Sequence, residues 1–104
     1  MTIPEFNSWK SENDLGLAVF TTPDCGVCNA IKPRIAEIAA EYDLLKVMYI
    51  DVGESPELSA NHNVFVVPVL ILMVKGKEAR RFARHFGMQE IEDAIHRYAG
   101  LLAS

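Results

Sequence analysis

Apolar positions along the chain follow two rhythms, and the alternation between them predicts the order of elements. Leu15 to Thr21 ("LGLAVFT") is an almost unbroken apolar run bounded by "SEND" before and "TPD" after, as a central strand buried on both faces should be. From about Cys25 to Tyr42 the pattern changes, with Ile31, Ile35, Ile38 and Tyr42 recurring at helical spacing opposite Lys32, Arg34, Glu37 and Glu41. Pro33 falls inside this helix and should kink it, because proline has no amide hydrogen and crowds the preceding turn. Lys46 to Val52 reads as a second buried strand, and Ser55-Pro56-Glu57 opens a short helix reaching about Asn61. The most apolar run, Val64 to Val74, reads as a buried strand with the third strand proper at Val69 to Val74; "KGK" then makes a turn. Glu78 to Phe86 is a fourth, more polar strand suited to a sheet edge. Gly87 punctuates it, and Ile91, Ala94, Ile95, Tyr98, Leu101 and Leu102 mark a closing amphipathic helix. At the front, Pro4 with Phe6 and Trp9 three apart predicts a helix from Pro4 to about Asn13. Strands separated by helices, followed by a terminal hairpin, imply an α/β fold: a mixed sheet of four or five strands with helices on both faces.

Composition narrows the class. The 104 residues suffice for one core and are too few for two, so residues 1–104 are expected to form a single domain. A formal net charge of −4 argues against a nucleic-acid or anionic-membrane surface and leaves proteins or small molecules as partners. The Val64–Val74 run spans eleven residues, short of the ~17–25 that cross a bilayer. No basic flank leads into an apolar core near Met1, so a cytoplasmic home is expected, with the chain acting as a monomer.

The candidate chemistry lies in "TTPDCGVCNAIKP", which holds both cysteines of the chain, Cys25 and Cys28. As a staple the pair is poorly placed, since so short a loop restricts the unfolded chain by only ~2 kcal/mol, and a cytosolic setting disfavours a permanent bridge. As half a metal site it lacks company. Only His62, His85 and His96 remain, none in an H-x3–5-H pair, and they read as surface or edge residues. A redox role has positive support, because both cysteines fall at the first turn of a long predicted helix. Residues three apart on a helix have β-carbons ~5–6 Å apart, beyond the ~3.5–4.5 Å of a disulfide, so closure should distort the turn. Strained, exposed disulfides are the exchangeable ones. Free N–H groups at the helix start favour the thiolate over the thiol, making Cys25 the candidate attacker and Cys28, one turn inward, the resolver.

At this point the chain resembles the thioredoxin family over nearly its whole length. The matching pieces are "LAVFTTPDCGVC", Pro33 five residues after Cys28, "VMYIDV", "VFVVPVLIL" with Pro68, and "VKGKEARRF" before the last helix. The resemblance implies a cis Pro68 set against the cysteines, an exchange reaction on protein disulfides through the Cys25–Cys28 pair with no other cofactor and no metal, and a flavoprotein reductase as electron donor. It also implies that the Val67 main chain pairs with an extended substrate segment, while Gly26, Val27, Val67 and Pro68 form the docking rim. A glutaredoxin-like use of glutathione and a non-catalytic adaptor are the alternatives.

Four departures bear on the chemistry. Typical members carry Trp before the first cysteine and Gly-Pro between the two, where this chain has Asp24 and Gly26-Val27. They also bury an Asp and a Lys at the positions of Val19 and Val47; losing both is coherent, since either charge alone is costly to bury. Lys46, one residue away, should face the other side of its strand. Asp24 reads as a helix cap, and at ~6 Å it would oppose a thiolate by about 0.7 kcal/mol in water or up to ~3 in a shielded site. The helix start offers ~0.3–1 kcal/mol in return. Arg84, set by the resemblance near the cysteines, is the candidate counter-charge.

Overall fold

Strand β1 (Leu15–Thr21) is buried at all seven positions because it has a strand on each side and helices above and below. In the computed structural model, which describes residues 1–103, it is preceded by α1 (Ile3–Glu12) and followed by α2 (Gly26–Glu41), β2 (Leu45–Asp51), α3 (Pro56–Asn61), β3 (Val69–Val74), β4 (Lys77–Ala83) and α4 (Met88–Ala103). Among the described residues there is one sheet of four strands in the order β2-β1-β3-β4. β1 runs parallel to β2 and antiparallel to β3, and β3 is antiparallel to β4. The α/β architecture is the one the apolar pattern predicts, at the lower of its two strand counts.

Strand alternation divides the core in two. Leu15, Leu17 and Val19 of β1 join a cluster with Ile35 and Ile38 of α2 and Ile91, Ala94 and Ile95 of α4. Ala18 and Phe20 belong to the opposite face, with Phe6 of α1, Leu58 of α3, and Ile71 and Met73 of β3. A period of two along one strand thus serves two helical layers. Arg34 of α2 ties the first layer together by pairing with both Glu37 and Glu92 of α4. Among the described residues no helix is long and apolar enough to cross a membrane.

Local chemistry sets the boundaries. Thr2 caps α1, its hydroxyl accepting from the Glu5 N–H at 3.2 Å while the Glu5 carboxylate accepts from the Thr2 N–H at 2.9 Å. The β3–β4 turn is Lys75-Gly76, both at positive φ (51° and 80°), the two-residue geometry whose twist suits a hairpin and which glycine adopts without a Cβ clash. α2 runs on through Pro33, where the missing amide leaves the Asn29 carbonyl without its usual helical donor.

Three expectations are corrected. β4 starts one residue early and stops at Ala83, three short of Phe86, because Arg84 turns out of the strand at φ 62° and Phe86 folds back to place its ring 6.3 Å from that of Phe82. The apolar run from Val64 is not buried throughout: Phe65 and Val66 are 77% and 47% exposed, and extended pairing begins only at Val69. His62 is half-buried rather than fully at the surface, its ring packed edge-on against Phe6 at 4.8 Å.

Gly16 lets α1 approach the sheet. A Cβ there would lie 2.7 Å from Cη2 of Trp9, which rests on the strand. Gly16→Ala should therefore cost about 1–3 kcal/mol, read as a lower urea midpoint by circular dichroism at unchanged m-value. The double variant Gly16→Ala, Trp9→Leu should recover part of the loss; an unchanged midpoint in the single variant contradicts this packing account.

Candidate functional site

The chain leaves β1 at Thr21 and turns through Thr22, Pro23 and Asp24, a bend closed by the Cys25 N–H donating to the Thr22 carbonyl at 3.2 Å. Cys25 itself is extended (φ −82°, ψ 106°) and caps α2, its Sγ accepting from the Cys28 N–H at 3.1 Å. Asp24 is thus not the cap. Its side chain is exposed and, among the described residues, its carboxylate has no hydrogen-bond or ion-pair partner.

Cys25 and Cys28 are joined by a disulfide with their Cα atoms 5.2 Å apart. That separation lies within the ordinary range for a bridge. Cys25 sits outside the helix, at its cap, so the pair is not made of two helical residues as the spacing suggests. The two cysteines differ sharply in access. Cys28 is 0% exposed while Cys25 is only partly covered, with Gly26 and the 60%-exposed Val27 on the rim beside it. An attacking sulfur at Cys25 would sit where the N–H groups of the first turn of α2 point, an environment that stabilises negative charge.

The sheet register assembles the rest. Phe20 of β1 pairs with Val69 of β3, so continuing that ladder by one residue sets Thr21 beside Pro68, whereas the β3–β4 ladder ends at Val69 and Ala83, after which Arg84 turns away at φ 62°. The Val67–Pro68 bond is cis, Pro68 is buried, and Val67 is half-buried. Among the described residues the Val67 main chain makes no hydrogen bond. Arg84 is exposed and follows β4, which β3 separates from β1, and it makes no ion pair among the described residues.

A mostly apolar groove of about 420 Å³ continues from this point, lined by Thr22, Val52, Pro56, Val64, Phe65 and Val67 among others. Sequence reasoning had placed Val67 here and missed Phe65, Val66 and Val52. The available signal was Pro68 itself, since a strand cannot extend through a cis proline and the apolar residues before it have to lie outside the ladder. The interior of this layer is apolar. Val19 is fully buried, Val47 packs against the same cluster, and the buried polar residues are Thr21, Ser55 and Ser59 only, among those described. Lys46 is exposed, as strand alternation requires. Among the described residues no three His, Cys, Asp or Glu side chains are gathered as a metal ion would need.

A four-stranded mixed sheet whose first βα turn carries a disulfide at a helix start, beside a cis proline, defines a thiol–disulfide oxidoreductase. The family model described as thioredoxin matches residues 2–97, and the chain belongs to the thioredoxin family. It is 31% identical over 96 residues to a thioredoxin-like protein, YdfQ, of Bacillus subtilis, covering 92% of this chain and 86% of that one. It is 33% identical over 76 residues to thioredoxin H2 of Arabidopsis thaliana, covering 73% of this chain and 57% of the plant protein. Among solved structures it is similar to thioredoxin 1 of Thermosipho africanus, with 36% identity, a TM-score of 0.79, and coverage of 86% of this chain and 99% of that one.

The unequal burial predicts unequal reactivity. After reduction, limiting iodoacetamide should label Cys25 before Cys28, as read by peptide mass spectrometry. Equal labelling of the two in the folded protein contradicts the geometry.

Proposed function

We propose that this protein reduces disulfides in other proteins, with Cys25 as the attacking thiolate and Cys28 as the resolving thiol. The observation that carries the reading is the asymmetry of the pair: one sulfur reachable at a helix start, the other sealed directly beneath it. Cys25 as thiolate attacks one sulfur of the substrate disulfide, forming a mixed disulfide and expelling the other substrate sulfur as thiolate. Cys28 gives up its proton and attacks the Cys25 sulfur; the Cys25–Cys28 disulfide forms and the second substrate sulfur leaves. Two electrons pass from the protein to the substrate, and two protons complete the substrate's thiols.

Docking follows from the free main chain of Val67, which offers an N–H and a C=O to an extended substrate segment, a one-residue case of strand addition. Gly26, Val27 and Pro68 bound the place where the reacting sulfurs meet. Among the described residues no carboxylate is buried, and Val19 and Val47 are apolar, so no internal carboxylate is at hand to take the Cys28 proton. The departing substrate thiolate or water takes it instead, which makes resolution the slower half of the reaction. A flavoprotein reductase would return electrons to the pair, and a reducing cytoplasmic compartment suits this direction of exchange.

Trapping tests the reading. Cys28→Ser should accumulate a mixed disulfide through Cys25 with insulin or with a native client, Cys25→Ser should not, and wild type should turn over. Absence of both turnover and trapped species, with partner binding kept in the double Cys→Ser variant, would identify an adaptor instead. The charge at Asp24 is tested separately. Asp24→Asn removes a negative charge next to the Cys25 thiolate, so the pH midpoint of Cys25 alkylation should move down and alkylation near neutral pH should speed up. A midpoint that does not move rules out a charge role for Asp24.

A further inference from the structure

One arginine on the edge strand reaches the end of α3, where the Val64–Pro68 segment begins. β4 carries a bulge: Leu72 pairs with Arg80 and Met73 with Glu78, leaving Ala79 as the extra residue. In a regular strand residues three apart face opposite sides, but the extra residue brings Glu78 and Arg81 to the same side. There they form a two-pronged pair, Arg81 Nε to Glu78 Oε2 at 3.1 Å and Nη2 to Oε1 at 2.9 Å. These hydrogen bonds hold the Glu78 carboxyl below the usual carboxylate range, so the pair is charged at neutral pH.

The guanidinium then reaches beyond the sheet. Its Nη2 donates to the His62 carbonyl at 2.7 Å and its Nη1 to the Asn63 carbonyl at 3.4 Å. Those carbonyls end α3, where Asn63 takes a left-handed conformation (φ 56°) and the N–H groups of His62, Asn63 and Val64 already turn back to Leu58, Ala60 and Ser59. Val64, next in the chain, is buried. Only Phe65, Val66, Val67 and the cis Pro68 separate that anchor from β3, and the main chain of Phe65 to Val67 has no hydrogen bond of its own among the described residues. Its placement depends on how its two ends are held.

We infer that Arg81 is a positioning residue for substrate, fixing the Val64–Pro68 segment at the height where the Val67 main chain can pair with an incoming strand. The inference rests on the proposed exchange of protein disulfides. It assigns Arg81 no contact with the reacting sulfurs.

The experiment compares wild type, Arg81→Met, Arg81→Lys and Glu78→Gln in two reactions: reduction of insulin, which has to dock, and reduction of 5,5′-dithiobis(2-nitrobenzoate), which needs no strand pairing. Arg81→Met should raise the KM for insulin roughly fivefold or more with kcat changed less than about twofold. The rate with the small disulfide and the pH profile of Cys25 alkylation should stay put. Arg81→Lys should restore part of the KM, because an ammonium can bond one carbonyl but cannot hold the fork. Amide hydrogen exchange at Asn63 and Val64, whose N–H groups bond the Ala60 and Ser59 carbonyls, should quicken in Arg81→Met. Should Arg81→Met not fold, Glu78→Gln, which leaves the guanidinium present but without its charged partner, should give a smaller rise in KM. Unchanged insulin KM and unchanged exchange in the folded variants overturn the inference. If wild type fails to reduce insulin, the exchange reading fails, and the clamp is then judged by amide exchange alone.

Discussion

Everything in this fold depends on β1 being buried on both of its faces and paired along both of its edges. A strand so placed has to be apolar throughout, and it has to end where the sheet ends, because the next residues can satisfy their backbone only by turning into a helix. That turn puts Cys25 at the start of α2, and the same sheet edge, through the β1–β3 register, puts Pro68 beside it. Phe20 and Val19, adjacent in sequence, hold opposite helical layers in place. The site therefore inherits its rigidity from the best-buried segment of the molecule.

Charge is arranged around the sulfurs rather than behind them. The interior beside the sheet is aliphatic at Val19 and Val47, and no charged residue is buried among those described, so this chain avoids the desolvation cost of burying charge and has no fixed internal proton acceptor. What remains is peripheral: the N–H groups of α2 at Cys25, the exposed carboxylate of Asp24 one residue away, and Arg84 across two strands. Helix start and carboxylate act on the same thiolate in opposite senses and with comparable strength. A substrate that covers Asp24 changes the dielectric around it, so the reactivity of Cys25 in the complex need not equal its reactivity when free.

The docking region shows how a sheet edge becomes a surface. The cis bond at Pro68 ends the β3 ladder, and the residues before it are apolar yet outside the core. Phe65 and Val66 stand at the mouth of a groove that runs toward α3. Their exposure, beside an unpaired main chain, supports the docking role proposed for Val67.

Much of this was legible in the sequence. The limits of β1 and β3, the hairpin at Lys75-Gly76, the candidate cysteines and the α/β class follow from apolar period, turn residues and spacing, all of which depend on neighbours within a few positions. The T-x-x-E cap at Thr2 and Glu5 was there to be read as well and marks a helix start at Ile3, one residue before Pro4. What only the tertiary structure decided lies where distant segments meet: that Cys25 rather than Asp24 caps α2, that Arg84 turns out of β4, that His62 packs under Phe6, and that a bulge at Ala79 swings Arg81 onto the α3 terminus. Local pattern reports how a residue suits its own element, whereas exposure at Phe65 and partnership at Arg81 depend on which chain segment occupies the space alongside. No periodicity along one strand records that.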